Sequence, residues 1–573
     1  MAEVQAELEA AKAANARLTL KLERLTQELE HSRHQQEGIR RAYMNALEQL
    51  QLFKRRLFVA KAERFDSPEE QLSFEQLQKQ AEKLEGQLEP TPEEAAGQGG
   101  DGESRPARRR RKHSGKPNGR RDLSNSSLPI VEVEITDPEL EGVAKRIGVD
   151  VTWQLGYEQG GQRRIRIARV VYKLPGTGEP GEPPRIVTAP APKKLLRRSF
   201  LAPSLISYIL VSKYMMGVPF YRLEQLMALQ GEPLDRGTMC RVAEDVGATL
   251  GAIVLAMRDE AMATAFCLST DATGVSIQPT PLADGRRQPC RKGHFFVVLA
   301  DRDHVFFEYQ PRHTSAAVCK MFKGFRGYIQ ADAHTVYDAL FRGPPQPTLL
   351  EEATGPPPPA ELGCMSHCRR YYWEAAICKH QEGIDGLRRI DAIFEADAKL
   401  KKLAPSQRKL ERQKSVKPLL DAFFDWVTEQ RAIVRPKGLV TKALGYAFRH
   451  REALSRFLED GRLVMENNRS ERALRSIATG RNAWLFFGSD DHAEAAANLF
   501  SLVASCKLHA LDPQAYFEEV IRVMPHWPRD RYLELSPKYW AETRSRLDPE
   551  ELAKPIGPLT VPPPPTEQQR PAN

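Results

Sequence analysis

Ala265-Phe-Cys-Leu-Ser-Thr-Asp271 is an apolar run that closes on a carboxylate, and Gly327-Tyr-Ile-Gln-Ala-Asp332 repeats the arrangement later in the chain. Each run is too short for a buried helix and reads as a buried strand with Asp at its last position. Between them, Phe295-Phe-Val-Val-Leu-Ala-Asp301 and His304-Val-Phe-Phe-Glu-Tyr309 form a hairpin across the polar Asp301-Arg-Asp303. The stretch from Thr314 to Phe325 is helical, and a short helix from His334 to Phe341 follows the second Asp.

Strand, strand, strand, helix, strand, helix is the order of the ribonuclease-H-like α/β fold. There the first and fourth strands are neighbours, so Asp271 and Asp332 are expected side by side at one sheet end. Two carboxylates held together repel each other unless a cation sits between them. Magnesium with oxygen ligands is the usual answer. A third carboxylate should come from a later helix, and Met465-Glu-Asn-Asn-Arg-Ser-Glu-Arg-Ala-Leu-Arg475 supplies Glu471 in a helix that begins near an Asn cap. A single Asp at a strand end is more often a turn residue or helix cap than a ligand. The three together carry the case.

Working outward, a chain of 573 residues calls for several domains. Its hydrophobic fraction of 41% suits a soluble globular protein, and no run is long and apolar enough for a membrane span or a signal-peptide core. Net charge is +9, from 84 basic and 75 acidic residues, so the placement of charge matters more than its total. None of the 8 cysteines lies before Cys240, and they do not space like a disulfide framework, which implies a reduced cytoplasmic setting.

Residues 1–60 read as a coiled coil. Val4, Leu8, Ala11, Asn15, Leu18, Leu22, Leu25 and Leu29 recur in alternating steps, with Asn15 at an a position that favours a parallel dimer in register. The alternative is one long helix packed on its own protein. Residues 61–128 form a flexible and then basic linker, in which Arg109, Arg110, Arg111, Lys112, Arg120 and Arg121 suit DNA phosphates; a solvated tail is the plainer reading. Residues 129–190 make a small β domain in which Arg163 to Lys173 has one basic and one apolar face. Residues 191–258 are helical. Phe220 to Gln230, the break at Gly231, and a second helix from Arg236 to Val246 capped by Asp235 outline a helix-turn-helix, placing Arg236 and Arg241 for DNA contact. Any helical hairpin shares that outline. The catalytic core would occupy 259–380 and 462–510, split by a helical insertion at 381–461, with a C-terminal helical region and Pro-rich tail at 511–573.

Glu466-Asn-Asn-Arg-Ser-Glu-Arg-Ala-Leu-Arg475, followed by Gly480-Arg-Asn-Ala-Trp-Leu-Phe-Phe-Gly-Ser-Asp490, resembles the C-terminal signature of the sixty-six family of bacterial insertion-sequence transposases. Gly363-Cys-Met-Ser-His-Cys-Arg-Arg370 resembles that family's Cys-x-x-His string, and Val211-Ser-Lys-Tyr with Val218-Pro-Phe-Tyr-Arg222 resembles its helical segment. The resemblance covers nearly the whole chain. It implies that Asp271, Asp332 and Glu471 are a DDE triad holding two magnesium or manganese ions. Arg472, Arg475 and Arg481 are candidates for phosphate contacts rather than proton transfer, by the chemistry of the guanidinium group. Cys364, His367, Arg370 and Asn468 would support the site; Cys-x-x-His with Cys368 nearby could instead hold zinc, but no second ligand pair is visible in the local sequence. Where the family's small N-terminal domain carries zinc-ligand cysteines, residues 129–190 have none, so no zinc is expected there. Asn482 stands where a basic residue is common, and Asp271-Ala-Thr-Gly274 departs from the acidic-rich version.

The expected function is DNA cleavage and strand transfer in the cytoplasm, at the nucleoid. The expected partners are double-stranded DNA, a second copy of the chain and possible element-encoded accessory proteins. A domesticated or inactive DNA-binding protein, or a ribonuclease-H-like nuclease that cuts without joining, are the alternatives.

Overall fold

The computed structural model describes residues 123–565 apart from 125, 127, 159, 175–184, 280, 281, 283, 284, 287, 343–357 and 435, together with positions 21, 24, 26, 27 and 30. Those five positions are helical and exposed; the rest of the expected coiled coil, the basic linker and the end of the Pro-rich tail lie outside the described residues. The chain forms two units, residues 115–364 with 463–573, and residues 365–462 with 1–114.

The first unit opens with a four-stranded sheet of β1 (Ile130–Ile135), β2 (Lys145–Glu158), β3 (Gly161–Lys173) and β4 (Ile186–Thr188). β3 is its spine, parallel to β1 and antiparallel to β2 and β4. Ile165, Ile167, Val170 and Tyr172 of β3 are buried, while Arg163, Arg164, Arg166 and Arg169 remain partly exposed. Buried and part-exposed residues fall on both faces of β3: Ile165 and Ile167 share one face with Arg163 and Arg169, and Val170 and Tyr172 share the other with Arg164 and Arg166, so the strand does not divide into the one basic and one apolar face expected of it.

Three helices follow, α1 (Pro203–Tyr214), α2 (Phe220–Leu229) and α3 (Arg236–Thr264). The Asp235 carboxylate caps α3 by accepting from the Thr238 N–H at 3.0 Å. The helix expected to stop at Val246 continues to Thr264, because its apolar face runs on through Leu250, Ile253, Met257 and Ala261. Gly247 therefore ends nothing. A Cβ there would meet the Ala495 carbonyl oxygen at 2.5 Å, so the glycine lets a second helix cross at backbone contact.

The main sheet has five strands: β5 (Cys267–Ile277), β6 (Arg291–Ala300), β7 (His304–Gln310), β8 (Tyr328–Gln330) and β9 (Ala360–Leu362). Helix α4 (Ser315–Met321) lies between β7 and β8 in the chain. The spatial order is β7-β6-β5-β8-β9, antiparallel among the first three and parallel thereafter. The molecule is thus mixed α/β.

In the second unit, α5 (Met365–Ile377), α6 (Gln381–Lys399), α7 (Pro405–Glu411), α8 (Lys417–Ile433) and α9 (Leu439–Arg449) make a helical body. Its buried centre includes the Asp397 carboxylate, bonded by Arg412 Nε at 2.7 Å and Arg408 Nη2 at 2.6 Å. Arg412 is fully buried and also donates to the carbonyls of Phe457 and Asp460.

The chain then returns to the first unit through α10 (Asn468–Trp484), α11 (Asp490–Leu508), α12 (Pro513–Val523) and α13 (Pro537–Ser545). Helix α11 closes the edge of the main sheet. The Ser501 and Ser505 hydroxyls accept from the N–H groups of Phe307 and Val305 at 2.8 and 3.1 Å. These serines, one helical turn apart and buried, satisfy β7 donors that an open edge would leave for another chain.

Candidate functional site

Asp271 does not end its strand. β5 continues six residues further, to Ile277, and Asp271 sits mid-strand opposite Val297 of β6. The polar Thr-Gly after it reads as a turn, but β6 pairs with that segment residue by residue and holds it extended. β8 is shorter than expected and ends at Gln330, leaving Asp332 in the loop that follows.

The two Asp residues still meet through register. β5 and β8 run parallel, with Cys267 opposite Tyr328, Leu268 opposite Ile329 and Ser269 opposite Gln330. Continued past the end of β8, that register brings Asp332 alongside Asp271. Gln330 anchors the end of β8, its amide donating to the Val464 carbonyl at 2.9 Å and its oxygen accepting from the Ser269 hydroxyl at 3.3 Å. Beyond it, Ala333 takes a positive φ of 59° and the Asp332 carboxylate accepts from the His334 N–H at 3.1 Å.

The third carboxylate arrives on α10, with Glu471 in its first turn. The preceding Asn467 holds the helix start against β5. Its buried side-chain amide donates to the Thr270 carbonyl at 2.7 Å, one residue before Asp271, and its backbone N–H donates to Cys364 Sγ at 3.2 Å. It occupies the cap position without capping by its side chain. The neighbouring Asn468, expected to support the site, bonds instead to Glu466. Asn467 was legible only as half of an Asn-Asn pair; which of the two turns inward depends on the entry of the chain into α10.

The carboxylates feel one another. Burial and the charge of Asp332 push Asp271 up to about 7 from its ordinary 3.8, Glu471 adding to the rise and an N–H from Ala272 opposing it. Such a shift is what burial together with nearby negative charge produces. Among the described residues, no three or more His, Cys, Asp or Glu side chains form a cage able to hold a metal alone. The donors nevertheless fit magnesium or manganese in type, all being carboxylate oxygens. Magnesium commonly takes one or two carboxylates and completes its shell with water or phosphate oxygens.

The expected phosphate ligands divide. Arg472 and Arg475 are exposed on α10. Arg481 is engaged, donating to the Gly274 carbonyl at 2.8 Å and the Thr273 hydroxyl at 3.2 Å, so it clamps α10 to β5. Arg236 and Arg241 are exposed on the first turns of α3. Cys364 is fully buried as an acceptor for Asn467. His367 and Arg370 lie on α5, in the helical unit, where Arg370 pairs with the buried Glu374 at 3.7 Å. Arg109, Arg110, Arg111, Lys112, Arg120 and Arg121 lie outside the described residues.

A cationic cleft escaped the sequence reading. It has a volume of about 1050 Å³ and is lined by Arg169, Lys193, Lys194, Arg197, Arg198 and Arg529, with Trp153 and Tyr532, and by no acidic residue. Lys193-Lys-Leu-Leu-Arg-Arg198 was the available signal, but Arg529 joins it only through the fold.

Residues 198–495 match the model described as Transposase IS66 family, residues 501–537 the IS66 C-terminal element, and residues 46–133 Transposase C of IS166 homeodomain. The chain is also similar to uncharacterized proteins of Sinorhizobium fredii. It is 28% identical to y4hP over 382 residues, covering 62% of this chain and 65% of that protein. With y4qI the identity is 26% over 363 residues, covering 61% and 65%. The matched region thus spans about 65% of these relatives' own length.

Proposed function

The chain belongs to the IS66 family of transposases, and from that premise we propose that it cuts and joins the DNA ends of a bacterial insertion sequence, with Asp271, Asp332 and Glu471 as its metal-holding carboxylates. What supports this reading is strand register, which carries Asp332, just past the end of β8, alongside Asp271 of β5, with Glu471 in the first turn of the helix that Asn467 ties to Thr270. The strand order β7-β6-β5-β8-β9, with the two Asp residues on its adjacent central strands or just beyond, supports a ribonuclease-H-like core.

Two divalent ions, when bound, supply Lewis acidity that activates a water or a DNA 3′-hydroxyl and stabilises the leaving 3′-oxygen. The chain's own part is placement. β5 holds Asp271, the loop after β8 carries Asp332, and Asn467 ties the start of α10, whose first turn bears Glu471, to the Thr270 carbonyl beside Asp271. Arg472 and Arg475 present exposed guanidinium groups on α10 that would attract the phosphates flanking the scissile bond. The cleft around Lys193 to Arg198 suits the DNA backbone away from the chemistry, since six cationic side chains and no acidic one line it, although Arg169 pairs with Asp150 outside the lining.

Joining of pre-cut ends to a target duplex tests the reading. Magnesium-dependent product is expected from the wild type, and none from Asp271→Ala, Asp332→Ala or Glu471→Ala, each still binding DNA. Normal joining by Asp332→Ala would remove the triad. Cutting without joining by the wild type would leave a nuclease.

A further inference from the structure

At the far end of α10 the chain does something costly. Leu485 has φ 68° and ψ −50°, and the Phe486 N–H donates to the Trp484 carbonyl at 2.9 Å. This is a γ-turn of the rare, strained kind, centred on a leucine where glycine would sit without penalty. The turn puts two apolar side chains into water, Leu485 at 64% exposure and Phe486 at 42%. Strain and exposed apolar surface at one point are two costs that folding alone does not explain.

The tip is also rigid. On one flank Trp484 is buried, its ring 4.6 Å from that of Phe487 and 5.6 Å from the ammonium of the buried Lys213. On the other, Phe487 is stitched to the end of β5, accepting from the Gln278 N–H at 2.8 Å and donating to the Ser276 carbonyl at 2.9 Å. The Leu485 N–H donates to the Arg481 carbonyl at 2.8 Å. Two apolar side chains at a strained turn on a fixed mount have the build of a wedge.

What faces the wedge follows from the rest of α10. Arg472, Arg475, Thr479 and Asn482 are exposed at helical spacing, a polar and cationic stripe that starts beside Glu471 and leads to Phe486. At 1.5 Å per residue, Glu471 and Leu485 lie about 21 Å apart along the axis. That is about six base-pair steps at 3.4 Å each. An apolar protein partner would not account for the two arginines on the same stripe.

We infer that Leu485 and Phe486 insert between bases of a DNA duplex laid along α10, opening the stack about six base pairs from the base pair nearest Glu471. The inference rests on the proposed DNA reading of the same helix. The wedge supplies what the carboxylates lack, a fixed distance at which the duplex is gripped and distorted. Apolar side chains bind unstacked bases in any sequence, so the contact sets position rather than sequence preference.

The test uses the full chain and a mixed-sequence duplex with a free 3′-hydroxyl end, labelled with 2-aminopurine at one position at a time. With wild-type protein, fluorescence should rise several-fold at one or two positions about six base pairs from the end and remain quenched elsewhere. Leu485→Gly combined with Phe486→Ser should abolish the rise while anisotropy reports duplex binding within a few-fold of wild type. The glycine removes strain, so an unfolded variant is not expected, and Leu485→Gly alone should keep part of the signal through Phe486. Binding without enhanced fluorescence at any position overturns the wedge and leaves the DNA reading standing. Failure of the wild type to bind the duplex overturns both. A double variant that loses self-association in sedimentation while keeping the fluorescence rise assigns the tip to a second copy and overturns the wedge.

Discussion

Asp397 and Asp271 are both withdrawn from water, and the fold treats them in opposite ways. Burial would push the Asp397 carboxyl up, but the bonds and charge of Arg412, then of Arg408, hold it below its ordinary value. Asp271 is given no cation among the described residues, only further carboxylates, and it rises to about 7. The helical unit has completed its electrostatics within the chain. In the sheet unit the charges beside Asp271 are of its own sign. Identical residue types thus acquire opposite shifts from what stands opposite them, and on the proposed function Asp271 is the one that ligates.

The sharpest way to break this contrast is to delete each carboxylate. Asp397→Ala leaves the guanidinium of Arg412 buried and without its carboxylate, and should cost about 3–5 kcal/mol. Asp271→Asn removes repulsion and should leave the fold as stable or more so, while ending catalysis. Urea denaturation of both variants decides it; equal destabilisation would mean that the Asp271 site is structural too.

Acid should then separate the two carboxylates by sign. The folded value of Asp271, about 7, lies above its ordinary 3.8. The folded chain therefore holds a proton that the unfolded chain releases, and this site's contribution to stability falls as pH rises from about 4 to 7. Asp397 is shifted the other way, so its contribution is present above pH 3.8 and lost as pH falls through its lower folded value. Unfolding free energies measured in chelator at pH 5 and pH 7 should show a slope in the wild type that Asp271→Asn reduces. An unchanged slope would locate the titration elsewhere.

Magnesium offers a ligand test of the same point. Saturated a hundredfold over its dissociation constant, it should add about 3 kcal/mol to the wild type. Little change is expected for Asp271→Asn, and none in the helical unit's own transition if that resolves. Equal stabilisation of wild type and variant would place the ion away from the carboxylates.

The smallest expected effect lies one layer out. Asn467→Ala removes the bond to the Thr270 carbonyl and should lower joining activity about 10- to 100-fold, as loss of a ligand-positioning residue commonly does. Wild-type activity would show that Glu471 is positioned by α10 alone. A fall in melting temperature without loss of joining would make Asn467 purely structural.

Much of this architecture was legible in the chain, since period and residue type act locally. The apolar alternation of 295–309 appears as a hairpin, Asp235 as a cap, and the two Asp-ended runs as neighbouring strands. The misreadings have local causes as well. Gly247 resembles a helix stop, and Thr273-Gly274 resembles a turn; in each case a neighbour distant in sequence supplies the reason for the residue. The Ser501 and Ser505 pair, the choice of Asn467 over Asn468, and the assembly of the Lys193 and Arg529 cleft carry no periodic signal.

The sequence by itself determined which side chains could ligate, cap, pair and bury, because those capacities belong to each residue's own chemistry. Only the tertiary structure decided which carboxylate would meet arginine and which would meet another carboxylate. Charge interactions depend on distance and dielectric, and both are set by strand register and helix entry rather than by separation along the chain.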